Sequence, residues 1–197
     1  MLESNAFDHD LEWTVLPMVN PTGFERNTRE NHAGIDLNRD FKSPAANETS
    51  GIVGFLEQRS APWDLALFLH EDWESDGFYL YQLADGAADD SARRIVGAVE
   101  SVCPIDPNET IDEMPAASGI IRPDPAKVQS DPKLKGDWPE AIRFFMKRMA
   151  RLQFTFESPS ALDMPTRVRA QEQAIATAVA ITRERVNRED PRGYPGQ

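Results

Sequence analysis

A continuous apolar run at residues 64–70 (DLALFLH) constrains the fold more than any other segment of the 197-residue chain. Such a run is typical of a strand buried on both faces in the middle of a sheet. Residues 77–83 predict a second strand, and residues 152–157 alternate apolar and polar side chains as a third strand would. His70 ends the first strand and Glu157 ends the third. Both therefore fall at carboxyl ends of strands, where ligands bind in sheets of this kind.

Helical patterns alternate with these strands. Apolar residues recur at helical spacing in residues 48–58, 91–102, 138–150 and 166–188. Residues 12–19 predict a further strand, whereas the proline-rich residues 104–139 predict irregular surface structure. This alternation favours an α/β fold, with a mostly parallel mixed sheet and helices on both faces. Residues 1–190 are predicted to form a single domain and residues 191–197 a flexible tail.

Charge and composition limit the partners. A net charge of -12 and a pI near 4.7 argue against contact with nucleic acid or anionic membranes, because repulsion would oppose each encounter. The single cysteine, Cys103, excludes an internal disulfide and favours a reducing compartment, so we expect a cytoplasmic location. No run approaches the roughly 18 apolar residues that a membrane span needs, and no signal segment follows Met1. The expected partner is a peptide or small molecule.

A long polar loop is predicted at residues 21–47, and loops of that length in compact domains are usually functional. It opens with the turn sequence NPTG at residues 20–23 and contains GIDLNR at residues 34–39. Arg39 can bind a carboxylate through two parallel hydrogen bonds, and Asn38 can add a donor. Taken singly, such arginines could equally pair with surface acids. The ordered string is what favours a clamp for a terminal carboxylate.

This string resembles the zinc carboxypeptidase family of the carboxypeptidase A type. Its bacterial members carry an asparagine-proline-x-glycine turn, then an arginine and a glycine-x-aspartate-leucine-asparagine-arginine loop, as in residues 20–39. Residues 67–70 (LFLH) resemble the strand that ends in the family's third zinc-binding histidine. Residues 154–157 (FTFE) resemble the strand that ends in its catalytic glutamate. These motifs span residues 17–157, most of the chain, and the predicted closing helix follows as in the family.

The resemblance implies a role for each matched residue. His70 would be a zinc ligand, and Glu157 would activate the zinc-bound water and pass its proton to the leaving amine. Asn38 and Arg39 would bind the terminal carboxylate of the substrate. Arg29 would polarise the scissile carbonyl and stabilise its oxyanion. The implied activity is zinc-dependent hydrolysis of the C-terminal peptide bond of a peptide.

The chain departs from the family at the metal site. The family also needs a histidine-x-x-glutamate pair on a loop well before the NPTG turn. Here only His9 and Glu12 have that spacing, and they lie too close to Asn20 for the helix and strand that the family places between. The resemblance thus implies a carboxypeptidase-like fold lacking its N-terminal part, with an incomplete zinc site and no activity in this chain alone. The uncovered sheet edge would favour self-association.

Two other functions stay open. On the same fold, the chain could be a deacylase of N-acyl amino acids that resembles aspartoacylase. From a different class, it could be a zinc-free binding protein that keeps the Asn38–Arg39 clamp for peptide C-termini. An in-frame histidine-x-x-glutamate upstream of Met1 would favour the enzyme. The tyrosine that larger digestive members place before the catalytic glutamate has no counterpart, and we interpret Tyr79 and Tyr81 as packing residues.

Overall fold

The computed structural model describes residues 11–84 and 89–189. The described residues fall into two compact units, one of residues 11–60 with 136–140, the other of residues 61–84, 89–135 and 141–189. The predicted single domain over residues 1–190 stays a prediction, and the predicted tail lies outside the described residues. Within the described ranges, no helix is long and apolar enough to cross a membrane.

The second unit is built on a six-stranded sheet. Its strands are β1 (Trp63–Asp72), β2 (Tyr79–Gln82), β3 (Thr110–Ile111), β4 (Met114–Ala117), β5 (Ile120–Ile121) and β6 (Ala150–Pro159), in the spatial order β1-β6-β2-β5-β4-β3. The pairs β1–β6 and β2–β5 are parallel, and β2–β6, β3–β4 and β4–β5 are antiparallel. The predicted α/β class with a mixed sheet is confirmed. Parallel pairs are not the majority among the described strands, because tight turns join β3, β4 and β5 and such turns connect antiparallel neighbours.

Helices cover both faces of the sheet. On one face, α3 (Ser91–Val99) and α6 (Met164–Glu189) pack over the main core. The short helix α4 (Pro125–Ser130) and a 3₁₀ turn at Pro132–Lys135 follow β5 in the chain. On the other face, α5 (Glu140–Met146) contributes Phe144, whose ring lies edge-on to Phe68 of β1 with centroids 5.1 Å apart. Gln153 of β6 donates a hydrogen bond to the carbonyl of Ala141 on the same side, at 3.1 Å. The prediction of helices on both faces is confirmed.

Strand β6 alternates as its sequence predicts. Leu152, Phe154 and Phe156 are at most 4% exposed and belong to the core under α3 and α6. Because successive strand residues point to opposite faces, Thr155 and Glu157 project from the other face. Burial of each large apolar side chain contributes roughly 1.5–3 kcal/mol, so this pattern fixes which face Glu157 occupies.

Strand β1 has the predicted conformation but not the predicted position. It lies at the edge of the described sheet with β6 as its neighbour, whereas its continuous apolar sequence predicts a central strand. Leu69 is accordingly 49% exposed. Apolar strands at sheet edges can pair with a strand of another chain, which is why self-association is expected. It stays a prediction.

The first unit has little regular structure. It contains α1 (Pro21–Arg26), a 3₁₀ turn at Leu37–Arg39 and α2 (Asn47–Leu56), of which α2 matches the helix predicted for residues 48–58. The strand predicted for residues 12–19 is wrong, since these residues form neither strand nor helix. A strand-forming sequence becomes a strand only where a second strand supplies its backbone partners, and no strand of this unit is described.

The turn between β3 and β4 offers a test of backbone strain. Asp112 and Glu113 both have positive φ, 50° and 60°, which is the geometry of a hairpin turn that favours glycine at its second central position. A left-handed backbone conformation costs a residue with a β-carbon about 1–2 kcal/mol. Glycine avoids this strain, but its greater conformational freedom in the unfolded chain offsets part of the gain in stability. We expect Glu113→Gly to raise the free energy of unfolding by about 0.5 kcal/mol in urea titrations. Glu109→Gly, which removes the same side chain outside the turn, should lower it.

Candidate active site

The ends of β1 and β6 bring His70 and Glu157 side by side. The two are register partners in the parallel pair, so their side chains project from the same face of strands about 4.8 Å apart. That face is opposite to the core under α3 and α6. Glu157 is also the register partner of Tyr79 in the antiparallel pair with β2. An imidazole and a carboxylate that are far apart in sequence therefore form one adjacent pair.

Polar contacts from α6 and β6 hold the backbone of His70. Gln171 of α6 donates from Nε2 to the carbonyl oxygen of His70 at 3.1 Å, and the Ser158 hydroxyl donates to the same oxygen at 3.3 Å. Arg167, one helical turn before Gln171, donates to the carboxylate of Glu71. An edge strand has a ladder on one side only, so these contacts secure an end that would otherwise fray. The role of Gln171 could not be predicted from the sequence, because no local pattern links it to His70.

Tyr79 lies next to Glu157 on the same face. Its hydroxyl donates to Oδ2 of Asp72 at 3.0 Å, and the residue is 3% exposed. Burial, followed by the charges of Glu157, Tyr81 and Asp72, raises the pKa of Tyr79 well above its ordinary value. The phenol therefore remains a protonated donor across the neutral pH range. Its buried ring agrees with the packing role that the sequence suggested.

The predicted carboxylate clamp is organised by Asp36 in the first unit. Its Oδ1 accepts the backbone N–H of Asn38 at 3.0 Å, and its Oδ2 receives Nε of Arg29 at 2.7 Å. One carboxylate thus ties Arg29 to the turn that carries Asn38 and Arg39. Arg39 donates from Nη1 to the carbonyl of Asn38 at 2.7 Å. The backbone N–H of Glu140 donates to Oδ1 of Asn38 at 3.2 Å, so the amide offers its Nδ2 donor.

Residues 136–140 fix the backbone that follows the clamp. The N–H of Phe41 donates to the carbonyl of Trp138 at 3.0 Å, and the N–H of Trp138 donates to the carbonyl of Arg39 at 3.1 Å. The ammonium of Lys42 lies 5.4 Å from the centroid of the Trp138 ring. The apolar pattern of residues 138–150 predicts a helix that includes Trp138 and does not predict this role, since a pairing between distant segments leaves no local pattern.

The NPTG turn supports Arg29 through its backbone. Oδ1 of Asn20 accepts the N–H of Gly23 at 2.9 Å, while Nδ2 of Asn20 donates to the carbonyl of Arg29 at 2.9 Å. A β-carbon at position 23 would lie 2.2 Å from that Nδ2 atom and 2.8 Å from the carbonyl oxygen of Thr28. Glycine is therefore required here by close approach, and the motif is a scaffold for Arg29.

Substitution of this glycine should loosen the scaffold. We expect Gly23→Ala to lower the free energy of unfolding by about 2 kcal/mol, because overpacking of this kind costs about 1–3 kcal/mol. Gly51→Ala is the matched control, since a β-carbon there meets nothing within 4 Å and the residue lies in α2. That change should stabilise the chain by up to about 1 kcal/mol. Equal effects in urea titrations would contradict the role of Gly23.

The described residues do not complete a zinc site. Over residues 11–84 and 89–189, no group of three or more histidine, cysteine, aspartate or glutamate side chains could hold a metal ion. A catalytic zinc ion normally takes three protein ligands and a water. His70 can supply one nitrogen, and His9 lies outside the described residues. By themselves, the described residues therefore do not fit a catalytic zinc ion.

The predicted site residues are divided between the two units. Arg29, Asn38 and Arg39 belong to the first, and His70 and Glu157 to the second. Within each unit, the residues that the sequence singled out are neighbours. Their chemical roles stay predictions.

The N-terminal third of the chain matches a known family. Residues 3–60 match the family model described as zinc carboxypeptidase. The resemblance to the zinc carboxypeptidase family is confirmed. The matched part includes the NPTG turn and the GIDLNR loop, so the scaffold of Arg29 and the clamp at Asn38 and Arg39 lie inside it.

Solved structures extend the comparison to most of the chain. Candidate metallopeptidases from Shewanella denitrificans and Shewanella amazonensis are each 25% identical over 85% of this chain, with TM-scores of 0.68 and 0.69. This chain covers 59% and 63% of their lengths. A D,L-carboxypeptidase from Helicobacter pylori, solved in an mDAP-bound form, is 17% identical with a TM-score of 0.55 over 86% of this chain and 42% of its own, and shares the fold alone. No curated protein matches the sequence. The chain is therefore similar to the zinc carboxypeptidase family model over residues 3–60 and to the two Shewanella structures over most of its length.

Proposed function

We propose that this chain is part of a zinc-dependent carboxypeptidase that hydrolyses the C-terminal peptide bond of peptides. The observation that carries the proposal is the register of His70 with Glu157 near the ends of two neighbouring strands. An imidazole, which can bind a metal ion, therefore lies beside a carboxylate, which can act as a general base, at the edge where such sheets bind ligands. The zinc carboxypeptidase match and the similar metallopeptidase structures support it. By analogy with small bacterial relatives, the peptides would come from the cell wall.

The clamp selects substrates with a free carboxylate. Arg39 binds that group through two parallel hydrogen bonds, and Asn38 adds its Nδ2 donor. The Nε atom of Arg29 pairs with Asp36. In the proposed enzyme, the Nη groups of Arg29 would polarise the scissile carbonyl. A cation aimed at the developing oxyanion lowers the barrier to hydrolysis.

Glu157 acts as the general base and then as the general acid. It accepts a proton from the attacking water and returns it to the nitrogen of the leaving amino acid, so that one residue serves both halves of the reaction. When bound, zinc would supply Lewis-acid chemistry. His70 would be one of its ligands. Because the described residues offer no complete ligand set, we propose that this chain alone holds zinc weakly and does not turn over substrate.

The test is a zinc titration with a hippuryl-peptide hydrolysis assay. It is run on this chain and on a form extended by the sequence encoded upstream of Met1. The extended form should bind zinc and hydrolyse the peptide with a free C-terminal carboxylate, but not the C-terminally amidated peptide. This chain alone should show neither tight zinc binding nor turnover. If the extended form hydrolyses neither peptide with zinc present, the proposal fails.

A zinc-free binding protein for peptide C-termini is the second candidate. It is favoured by a clamp held in shape by Asp36, in described residues that offer no three-ligand metal group. This reading predicts that the extended form binds the free-acid peptide without hydrolysing it. An N-acyl amino acid deacylase fits less well, because the arginine-bearing loop after NPTG suits a peptide carboxylate. Hydrolysis of N-acetyl amino acids in place of hippuryl peptides would favour the deacylase.

A further inference from the structure

The hydrogen bond between Tyr79 and Asp72 spans three strands. Tyr79 is the register partner of Glu157 on β6, and Glu157 is the register partner of His70 on β1. Asp72 lies two residues beyond His70 on β1, so it shares that face. The Tyr79 hydroxyl reaches Oδ2 of Asp72 at 3.0 Å. The bond therefore crosses β6 at the level of Glu157 and joins the two strands on either side of it.

Both ends of this bond are anchored. Tyr79 is 3% exposed and packs with Ile111 and Ile121 in a cluster on this face. Oδ1 of Asp72 accepts the N–H of Glu74 at 2.9 Å, and its carbonyl accepts the N–H of Ser160 at 2.8 Å. Because both ends are anchored, the hydrogen bond can restrain the end of β1 relative to β2. A bond to a mobile side chain could not do so.

We propose that Tyr79 is a positioning residue for the His70–Glu157 pair. By holding Asp72, its hydroxyl keeps the last residues of β1 against β6. It thereby keeps the imidazole of His70 and the carboxylate of Glu157 at a fixed separation. The catalytic role of the His70–Glu157 pair rests on the proposed function. At 3% exposure, Tyr79 is not a counterpart of the tyrosine that the larger carboxypeptidases place over the substrate.

Tyr81 provides a matched control on the same strand and face. Its hydroxyl also donates to an aspartate, Oδ2 of Asp112, at 3.0 Å. Its register partner on β6 is Thr155 rather than Glu157, and Asp112 lies in the turn between β3 and β4. Tyr81→Phe therefore removes the same type of bond without releasing β1.

The experiment compares Tyr79→Phe with Tyr81→Phe in the metal-free chain. At about pH 8, the ring signals of the three histidines are recorded by NMR, with His32 as the internal reference. Hydrogen exchange is followed at the amides of Glu71 and Asp72. Both variants should lower the melting temperature by a similar 2–4 °C or so. Only Tyr79→Phe should shift the His70 signal and speed exchange at the end of β1 by about 10-fold.

The outcomes decide the proposal without metal or substrate. If Tyr79→Phe leaves the His70 signal and the exchange rates at wild-type values, the proposal is wrong. It is equally wrong if Tyr81→Phe changes them to the same extent. Should Tyr79→Phe fail to fold, Asp72→Ala removes the acceptor instead and must reproduce the local changes. A wild-type protein without hydrolytic activity would count against the proposed function and leave these measurements intact.

Discussion

Glu157→Gln should abolish peptide hydrolysis in the extended form while zinc binding is retained. Glutamine keeps the shape of the side chain but cannot accept the proton of the attacking water. General base catalysis contributes about 10²–10⁴-fold, so kcat should fall by at least about 10²-fold with little change in KM. Zinc affinity should be unchanged, because Glu157 is proposed as the base and not as a ligand.

Glu74→Gln is the control for this result. Glu74 follows β1 closely, is exposed, and loses the same negative charge on substitution. Its variant should keep wild-type kcat and KM in the hippuryl-peptide assay. Undiminished turnover by Glu157→Gln would show that Glu157 is not the general base. An equal loss in both variants would point instead to the overall negative charge near the strand ends.

Residues whose burial follows from their own sequence were predictable. Leu152, Phe154 and Phe156 alternate with polar residues, and this pattern alone places Glu157 on the face opposite the main core. The run that ends in His70 is a strand as predicted, since apolar β-formers have few alternatives. Its edge position could not be predicted, because a strand's neighbours are not recorded in its own residues.

The missed elements share a different cause. The region of residues 104–139 contains β3, β4 and β5, of two to four residues each, and their turn at Asp112 and Glu113 lacks the glycine that marks a hairpin. Residues 12–19 show the opposite error, since they have the composition of a strand without a described strand partner. Short strands depend on pairing more than on composition.

The candidate site divides in the same way. His70, Glu157, Asn38 and Arg39 could be found from their sequence, because strand ends and ordered motifs carry a local signal. Their supports could not. Tyr79 bonds to Asp72 across β6, Gln171 bonds to the backbone of His70 from α6, and Trp138 pairs with the clamp loop. Each of these contacts joins segments that are separate in sequence, so the candidate residues could be proposed from the sequence but the contacts that orient them could not.

Arg39→Ala should weaken binding of a peptide with a free C-terminal carboxylate to this chain by about 100-fold. The guanidinium is exposed and is held beside Asn38 by its own hydrogen bond, so its removal should cost little stability. A charge-assisted hydrogen bond contributes about 1.5–3 kcal/mol, and a bidentate pair lies at the strong end of that range. Arg39→Lys should recover only part of the affinity, because an ammonium cannot form two parallel bonds.

Isothermal titration with paired peptides separates this role from general attraction between charges. The free-acid peptide should bind wild type and Arg26→Ala equally well, since Arg26 is an exposed cation in the last turn of α1 rather than part of the clamp. The C-terminally amidated peptide should bind wild type as weakly as the free acid binds Arg39→Ala. The measurement applies to the enzyme and to the binding protein alike, because recognition of the carboxylate precedes any chemistry. Equal affinity of wild type for both peptides would show that Arg39 does not recognise a terminal carboxylate. It would then contradict the proposed clamp in the enzyme and in the binding protein alike.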